Sequence, residues 1–198
     1  MGHYFENDPD LKSDPVLINF AYRGTELSFL TDAGVFSKGR VDFGSFLLLN
    51  SLPEDLDGKR ILDLGCGYGA IGLAVAKVYA DAQVEMTDVN RRALSLAREN
   101  ASANGIGNVR IYESDLFKNI ASEFDLILSN PPIRAGKNIV HGIADGGYRH
   151  LRSGGELWMV IRKKQGAPSL FRKLEDVFSV VETVNRAKGY HVLRAQKS

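Results

Sequence analysis

One cysteine, Cys66, stands in the whole sequence, so no disulfide can close within it. The four histidines, His3, His141, His150 and His191, are scattered, and none shows metal-ligand spacing. No metal is expected. No apolar run approaches the roughly 20 residues that cross a bilayer. The longest, near Leu64–Ala76, is shorter and is broken by glycines. Residues 1–20 are acidic and polar, without the apolar stretch of a signal peptide. Glu6 stands where an N-myristoylation site takes Ser or Thr. There is no Walker loop, no Ser-His-Asp order, no repeat and no low-complexity tract. Together these absences predict a cytoplasmic chain with no membrane span.

What is present is one domain's worth of sequence. A chain of 198 residues is long enough to bury about 70% of its unfolded surface. The net charge of +1 hides an uneven distribution. Residues 1–133 carry 12 Lys and Arg against 19 Asp and Glu, whereas residues 134–198 carry 13 against 5. A basic C-terminal third suits a polyanionic partner, although a solvated basic face would look the same from composition.

The most informative stretch is Ile61-Leu62-Asp63-Leu64-Gly65-Cys66-Gly67-Tyr68-Gly69-Ala70-Ile71-Gly72. A short apolar run ends in an acid, glycines follow, and Leu73-Ala74-Val75-Ala76 favours a helix. This pattern predicts a buried parallel strand, a tight turn and a helix N-terminus. Glycines admit positive φ and close approach of a ligand, and the helix start offers free N–H groups. Gly67, Gly69 and Gly72 also satisfy the dinucleotide spacing G-x-G-x-x-G. Asp63, two residues before the first glycine, argues against a pyrophosphate, because a carboxylate there would repel it. Cys66 is expected to be a small filler, since no base neighbours it in sequence. Asp63-Leu64-Gly65-Cys66-Gly67-Tyr68-Gly69 resembles motif I of the class I S-adenosylmethionine (SAM) methyltransferases. That resemblance implies a loop wrapped around the ammonium- and sulfonium-bearing end of the cofactor.

Residues 1–20 are expected to form an arm. Residues 21–52 are expected to hold a β-hairpin, with strands Glu26–Leu30 and Gly34–Ser37, followed by a short helix at Phe46–Asn50. The core would occupy 59–198, all within one domain. After the glycine loop come a strand Gln83–Thr87 ending at Asp88, a helix capped by Asn90 and stopped by Asn104-Gly105, and a strand Asn108–Tyr112 leading to Asp115. A strand Phe124–Ser129 ends at Asn130-Pro131-Pro132-Ile133, and Asn138–Leu151 reads as a helix. A Ser153-Gly154-Gly155 turn enters a strand Glu156–Ile161. Pro168 opens the last helix, and Val180–Val184 with Tyr190–Ala195 forms a closing hairpin. The alternation predicts an α/β fold: a doubly wound, mostly parallel seven-stranded sheet with an antiparallel closing hairpin and an N-terminal hairpin extension.

In such sheets ligands bind at the carboxyl ends of the strands. Asp63, Asp88, Asp115 and Asn130 all fall at such ends. A carboxylate at Asp88 can accept from both ribose hydroxyls, as in dinucleotide folds too. Two prolines after Asn130 stiffen the turn and leave the Asn130 side chain and the Pro131 carbonyl as fixed acceptors. Two acceptors aimed at one amino group would turn its lone pair toward a methyl donor. The bland alternative is a strand-ending Asn-Pro turn.

Asn130-Pro131-Pro132 resembles motif IV of the amino-methyltransferases. Gly34-Val35-Phe36-Ser37 with Asp42-x-Gly44-Ser45-x-Leu47-Leu48 resembles the RsmC-type small-subunit ribosomal RNA guanine-N2 methyltransferases, over roughly residues 22–197. The resemblance implies a Rossmann-like methyltransferase fold and SAM as cofactor. It implies that Phe36, Gly65, Cys66, Gly67, Gly69, Asp88 with Val89, Asp115 for the adenine amine, Leu116 for the ring, and Asn130 line the cofactor site with Asp63. Asp42 and Ser45 would shape it. The catalytic turn would be Asn130, Pro131, Pro132 and Ile133. Many members carry an aromatic where Ile133 stands, and larger members have a second, degenerate domain for which no counterpart is expected here. Arg134, Lys137, Arg162, Lys163 and Lys164 follow the Asn-Pro-Pro turn and the fifth strand and are the expected contacts to RNA, from ribosomal RNA or a ribosomal subunit. Competing assignments are adenine N6 or a protein glutamine as acceptor, an NAD-dependent oxidoreductase, or an RNA- or SAM-binding module without turnover.

Overall fold

A computed structural model describes residues 12–132 and 136–198. Ile133 and Arg134, expected at the target base and the RNA backbone, lie outside the described residues.

Strands β1 (Val16–Tyr22) and β2 (Thr25–Thr31) form an antiparallel hairpin in a sheet of their own. Its position corrects the expected one: β1 begins inside the supposed arm, and Gly34–Ser37 is not a strand. The reason is local. Arg23 and Gly24 take φ of 48° and 75°, so they make a two-residue turn whose twist matches the strands. Gly34, Ser37 and Gly39 also take positive φ, which breaks any extended run there.

Helix α1 (Phe43–Leu49) is capped by Asp42, whose Oδ2 accepts from the N–H groups of Gly44 at 2.8 Å and Ser45 at 3.4 Å. The core then alternates: β3 (Arg60–Leu64), α2 (Ala70–Val78), β4 (Gln83–Asp88), α3 (Arg91–Ala103), β5 (Val109–Glu113), β6 (Phe124–Ser129), α4 (Lys137–His150), β7 (Leu151–Arg162), a 3-10 turn at Lys163–Gln165, α5 (Ala167–Glu175), β8 (Val180–Ala187) and β9 (Tyr190–Gln196). The sheet runs β5-β4-β3-β6-β7-β9-β8, and β9 alone runs opposite to the other six strands. Chain order reverses between β3 and β6, which makes their carboxyl ends the switch point. Strand β7 starts earlier than expected. Gly154, with φ of 77°, sits at an irregularity inside it rather than in a separating turn.

Period-2 alternation divides the core between the two faces of the sheet. Ile61, Leu126, Leu128, Trp158 and Val160 pack with α1, α2, α3 and the hairpin. Leu62, Leu64, Ile127, Leu157 and Met159 pack with α4 and α5. The hairpin is fastened by side chains of α3 and its C-cap that mimic a strand. Asn100 donates to the Leu30 carbonyl and accepts from its N–H, and Asn104 does the same for Ser28, at 2.7–3.0 Å. The outer edge of β2 is thereby satisfied, and the hairpin is held beside the switch point.

Candidate active site

An open cavity lies at the carboxyl ends of β3, β4, β5 and β6, where ligands bind in sheets of this kind. Its floor is the glycine loop after β3. Gly65, Gly67 and Gly69 take φ of 78°, 56° and 101°, a geometry that side chains resist. The loop is tied to β4: Gly65 N–H and Cys66 N–H both donate to the Thr87 carbonyl, at 2.8 and 2.9 Å.

Two carboxylates hold the same loop from beneath. Asp88 Oδ2 accepts from Gly67 N–H at 2.8 Å and its Oδ1 from Asn90 N–H at 2.9 Å. Asp63 Oδ2 accepts from Gly72 N–H at 2.7 Å. Asp88 and Val89 are on the cavity wall, but Asp63 is not: it is 1% exposed and lies behind the loop. The first turn of α2 draws the carboxylate toward its unpaired N–H groups, so Asp63 points into the protein rather than at a ligand. Burial, aided by the charge of Asp88 and opposed by the Gly72 bond, pushes the Asp63 carboxyl up to about 7. Gly69 is likewise absent from the wall. A Cβ there would come within 2.6 Å of Leu73, so its role is packing as well as turning. Burial and the two nearby carboxylates push the Cys66 thiol well up, which suits a filler and not a nucleophile.

The side walls come from the other strand ends. After β5, Ser114 Oγ donates to the Leu116 carbonyl at 2.7 Å and accepts from Asn119 N–H at 3.1 Å. This clasp holds Leu116 at a left-handed φ of 50° and turns Asp115 and Leu116 into the cavity. Asp115 is exposed and pairs with Lys118. Phe36 and Ser37 close the cavity from the segment after β2, and Ile139 and Ile143 close it from α4.

Asn130, Pro131 and Pro132 form the wall after β6. Asn130 Nδ2 donates to Asp42 Oδ2 at 3.0 Å and to Ser45 Oγ at 2.9 Å. A carboxylate only accepts, so Asp42 dictates which end of the amide faces it. Both Nδ2 hydrogens are used, and Oδ1 remains as the acceptor. The fit needs Gly44, where a Cβ would meet Asp42 Oδ2 at 2.7 Å and the Tyr190 ring at 3.0 Å. Tyr190 Oη adds a long contact to Asp42 Oδ1 at 3.5 Å. Sequence reasoning assigned Asp42 and Ser45 only a shaping role and passed over Tyr190. The Asp42-x-Gly44-Ser45 spacing was the one available signal.

The expected RNA contacts do not form one cluster. Arg162 is exposed on the α1 side of the site, over the Tyr190 ring. Lys137 lines a separate cavity between α4 and α5. Lys163 and Lys164 are exposed on the 3-10 turn between them. Among the described residues no helix is long and apolar enough to cross a membrane.

Comparison with known proteins agrees with this geometry. A family model for the methyltransferase small domain matches residues 26–194. The chain is 50% identical over 197 residues to the uncharacterized protein YbxB of Bacillus subtilis, covering 98% of both chains. It is 37% identical over 172 residues to ribosomal RNA small subunit methyltransferase C of Hahella chejuensis, covering 85% of this chain and 50% of that one. Among solved structures, the T. thermophilus 16S rRNA N2 methyltransferase RsmC in complex with AdoMet and guanosine superposes with a TM-score of 0.86 at 29% identity, over 96% of this chain and 52% of that one. The chain thus spans about half the length of the methyltransferase C relatives it matches. The matched family model, the identities to these relatives and the shared sheet order leave one assignment: the chain belongs to the methyltransferase small domain family.

Proposed function

We propose that this chain transfers a methyl group from SAM to an exocyclic amine, with guanine N2 of small-subunit ribosomal RNA as the acceptor. The observation that carries the proposal is the Asn130 amide, whose Nδ2 is committed to Asp42 and Ser45 and whose Oδ1 is left to accept.

The cavity fits the cofactor on its own chemistry. Left-handed glycines expose backbone on the floor, Asp88 lies at the end of β4 for a ribose, and Asp115 with Leu116 offers an acid and an apolar surface for an adenine. Phe36, Ile139 and Ile143 supply apolar cover. When bound, the cofactor supplies an electrophilic methyl group on a sulfonium. Asp63 acts through the loop: it holds Gly72 and so the start of α2.

The protein's own part in the transfer is orientation. Asn130 Oδ1 and the Pro131 carbonyl would each accept one hydrogen of the target amino group. The nitrogen lone pair then faces the methyl carbon. Orientation of this kind can supply about 7–11 kcal/mol of barrier lowering. No strong base is required, because the nitrogen sheds its proton after the new bond forms.

Guanine N2 is favoured by the relative solved with AdoMet and guanosine and by the relatives with small-subunit ribosomal RNA in their names. The test is incubation of the purified protein with labelled SAM and small-subunit ribosomal RNA, naked and assembled, followed by nucleoside analysis. N2-methylguanosine is the expected product. N6-methyladenosine, label in protein, or no transfer to either form of RNA would overturn the assignment.

A further inference from the structure

The hairpin, α1 and the outer ends of β7 and β9 enclose a second, wider groove that meets the active site at Asp42, which lines both. Three cations border it. Lys188 Nζ stands 4.6 Å from the centre of the Phe43 ring, and the Arg162 guanidinium stands 4.7 Å from the centre of the Tyr190 ring. Arg40 is exposed beside them. None of the three makes an ion pair among the described residues. Several basic side chains elsewhere are matched, among them Arg91 with Glu113, Arg152 with Asp125, and Arg194 with Glu156 and Glu182, whereas Lys59, Lys77 and Arg110 also make no ion pair among the described residues.

Among the described residues the one carboxylate lining the groove is Asp42, and it already accepts from Gly44, Ser45 and Asn130. Three cations against one carboxylate leave the groove with a net positive charge. It is also aromatic and apolar. Phe46 is 44% exposed and Leu17 67% exposed, the two most open large apolar side chains on this wall. Cations held over rings, next to an uncovered ring, suit a chain of alternating phosphates and flat bases.

We infer that this groove binds the single-stranded RNA segment that flanks the target nucleotide, with Arg40, Arg162 and Lys188 on its phosphates and Phe46 under a base. The inference rests on RNA being the substrate. A target base must leave its stack to reach Asn130, so the nucleotides beside it enter unpaired. Asp42 joins the groove wall to the Asn130 amide, and a strand lying along α1 would deliver its next base to that amide. The unmatched cations favour RNA over a protein occupant, for which the exposed Leu17 and Phe46 alone would suffice.

The test is fluorescence anisotropy with a labelled single-stranded RNA of about twelve nucleotides containing one guanine. Wild type is compared with the double variant Arg162→Glu/Lys188→Glu, with Phe46→Ala, and with Lys59→Glu, a control at the far end of β3. SAM affinity by calorimetry reports that each variant is folded. The double variant should weaken RNA binding at least tenfold and flatten the slope of log Kd against log salt by about 1.4. Phe46→Ala should weaken binding severalfold with the slope intact. Lys59→Glu should change neither. Unchanged affinity in the double variant, an equal loss in the control, or no RNA binding by wild type would overturn the inference. So would affinity that responds to Phe46 but not to the charges, which would mark a protein surface. Methyl transfer measured alongside separates the two proposals. Groove-dependent binding without transfer sinks the enzymatic assignment alone, and transfer without groove dependence sinks the groove alone.

Discussion

Asn130 and Asp42, 88 residues apart in sequence, meet at 3.0 Å, and this contact sets the direction in which the Asn130 amide faces. Asp42 is at once the N-cap of α1 and the partner of Asn130. The two roles can be separated. Asp42→Ser keeps a capping oxygen, since Ser is as good a cap as Asp, but its side chain is one atom shorter toward Asn130. We expect kcat to fall about 100-fold, the scale of a misplaced positioning group, while melting temperature and SAM affinity stay near wild type. An unchanged kcat would mean that Asn130 finds its orientation without Asp42.

Asn130→Ala removes the acceptor itself. Turnover should drop by at least the same factor, with SAM affinity, measured by calorimetry, nearly intact. Full activity would take the Asn-Pro-Pro turn out of the mechanism.

Asp88→Ala should do two things, because Asp88 faces the cavity and also holds Gly67 N–H. SAM binding should weaken strongly. The fold should also lose about 1–3 kcal/mol, the penalty for orphaning a buried donor. Thermal melting without ligand reads the second effect and calorimetry the first. Unchanged SAM affinity would remove Asp88 from the ribose.

Asp63 predicts a pH dependence of the ligand-free protein. Its carboxyl is pushed from an ordinary value near 3.8 up to about 7 in the folded chain. Between these values the folded state holds a proton that the unfolded state has released. Stability therefore falls as pH rises from about 4 to about 7 and is flat in this respect beyond. The full swing is on the order of 4 kcal/mol. Asp63→Asn keeps an acceptor for Gly72 and cannot ionise. The stability lost between pH 5 and pH 8 in urea should be smaller in the variant by a few kcal/mol; equal losses would show that Asp63 is ionised throughout.

Gly72→Ala tests whether the third glycine serves packing. A Cβ there would lie 2.8 Å from Met86 Cγ and 2.9 Å from Asp63 Oδ2. Overpacking of this kind costs about 1–3 kcal/mol, so the melting temperature should fall by roughly 2–12 °C. A melting temperature at or above wild type would show that the α2–β4 contact yields freely.

The alternation of strands and helices, the glycine loop and the Asn-Pro-Pro turn were legible in the amino-acid order. Each is encoded by neighbours: Ile61–Leu64 by its apolar run, Gly65–Gly69 by backbone freedom, Asn130–Pro132 by fixed proline φ. The positions of Asp88, Asp115 and Asn130 at strand ends followed from the same local rules. The direction in which each side chain turns did not. Asp63 looked like a ligand contact until α2 placed Gly72 N–H behind it, and a strand-end carboxylate goes to whichever donor the adjoining helix presents. The hairpin register depended on Arg23 and Gly24 adopting left-handed φ and on α3 reaching β2 through Asn100 and Asn104, 70 and 76 residues away from their partners. Arg162 and Lys137 are 25 residues apart in a basic stretch of chain, yet a parallel sheet with helices on both faces sends them to different sides of the site. Local order set which groups stand at the carboxyl ends; long-range packing decided which of them face the cavity and which hold the loop.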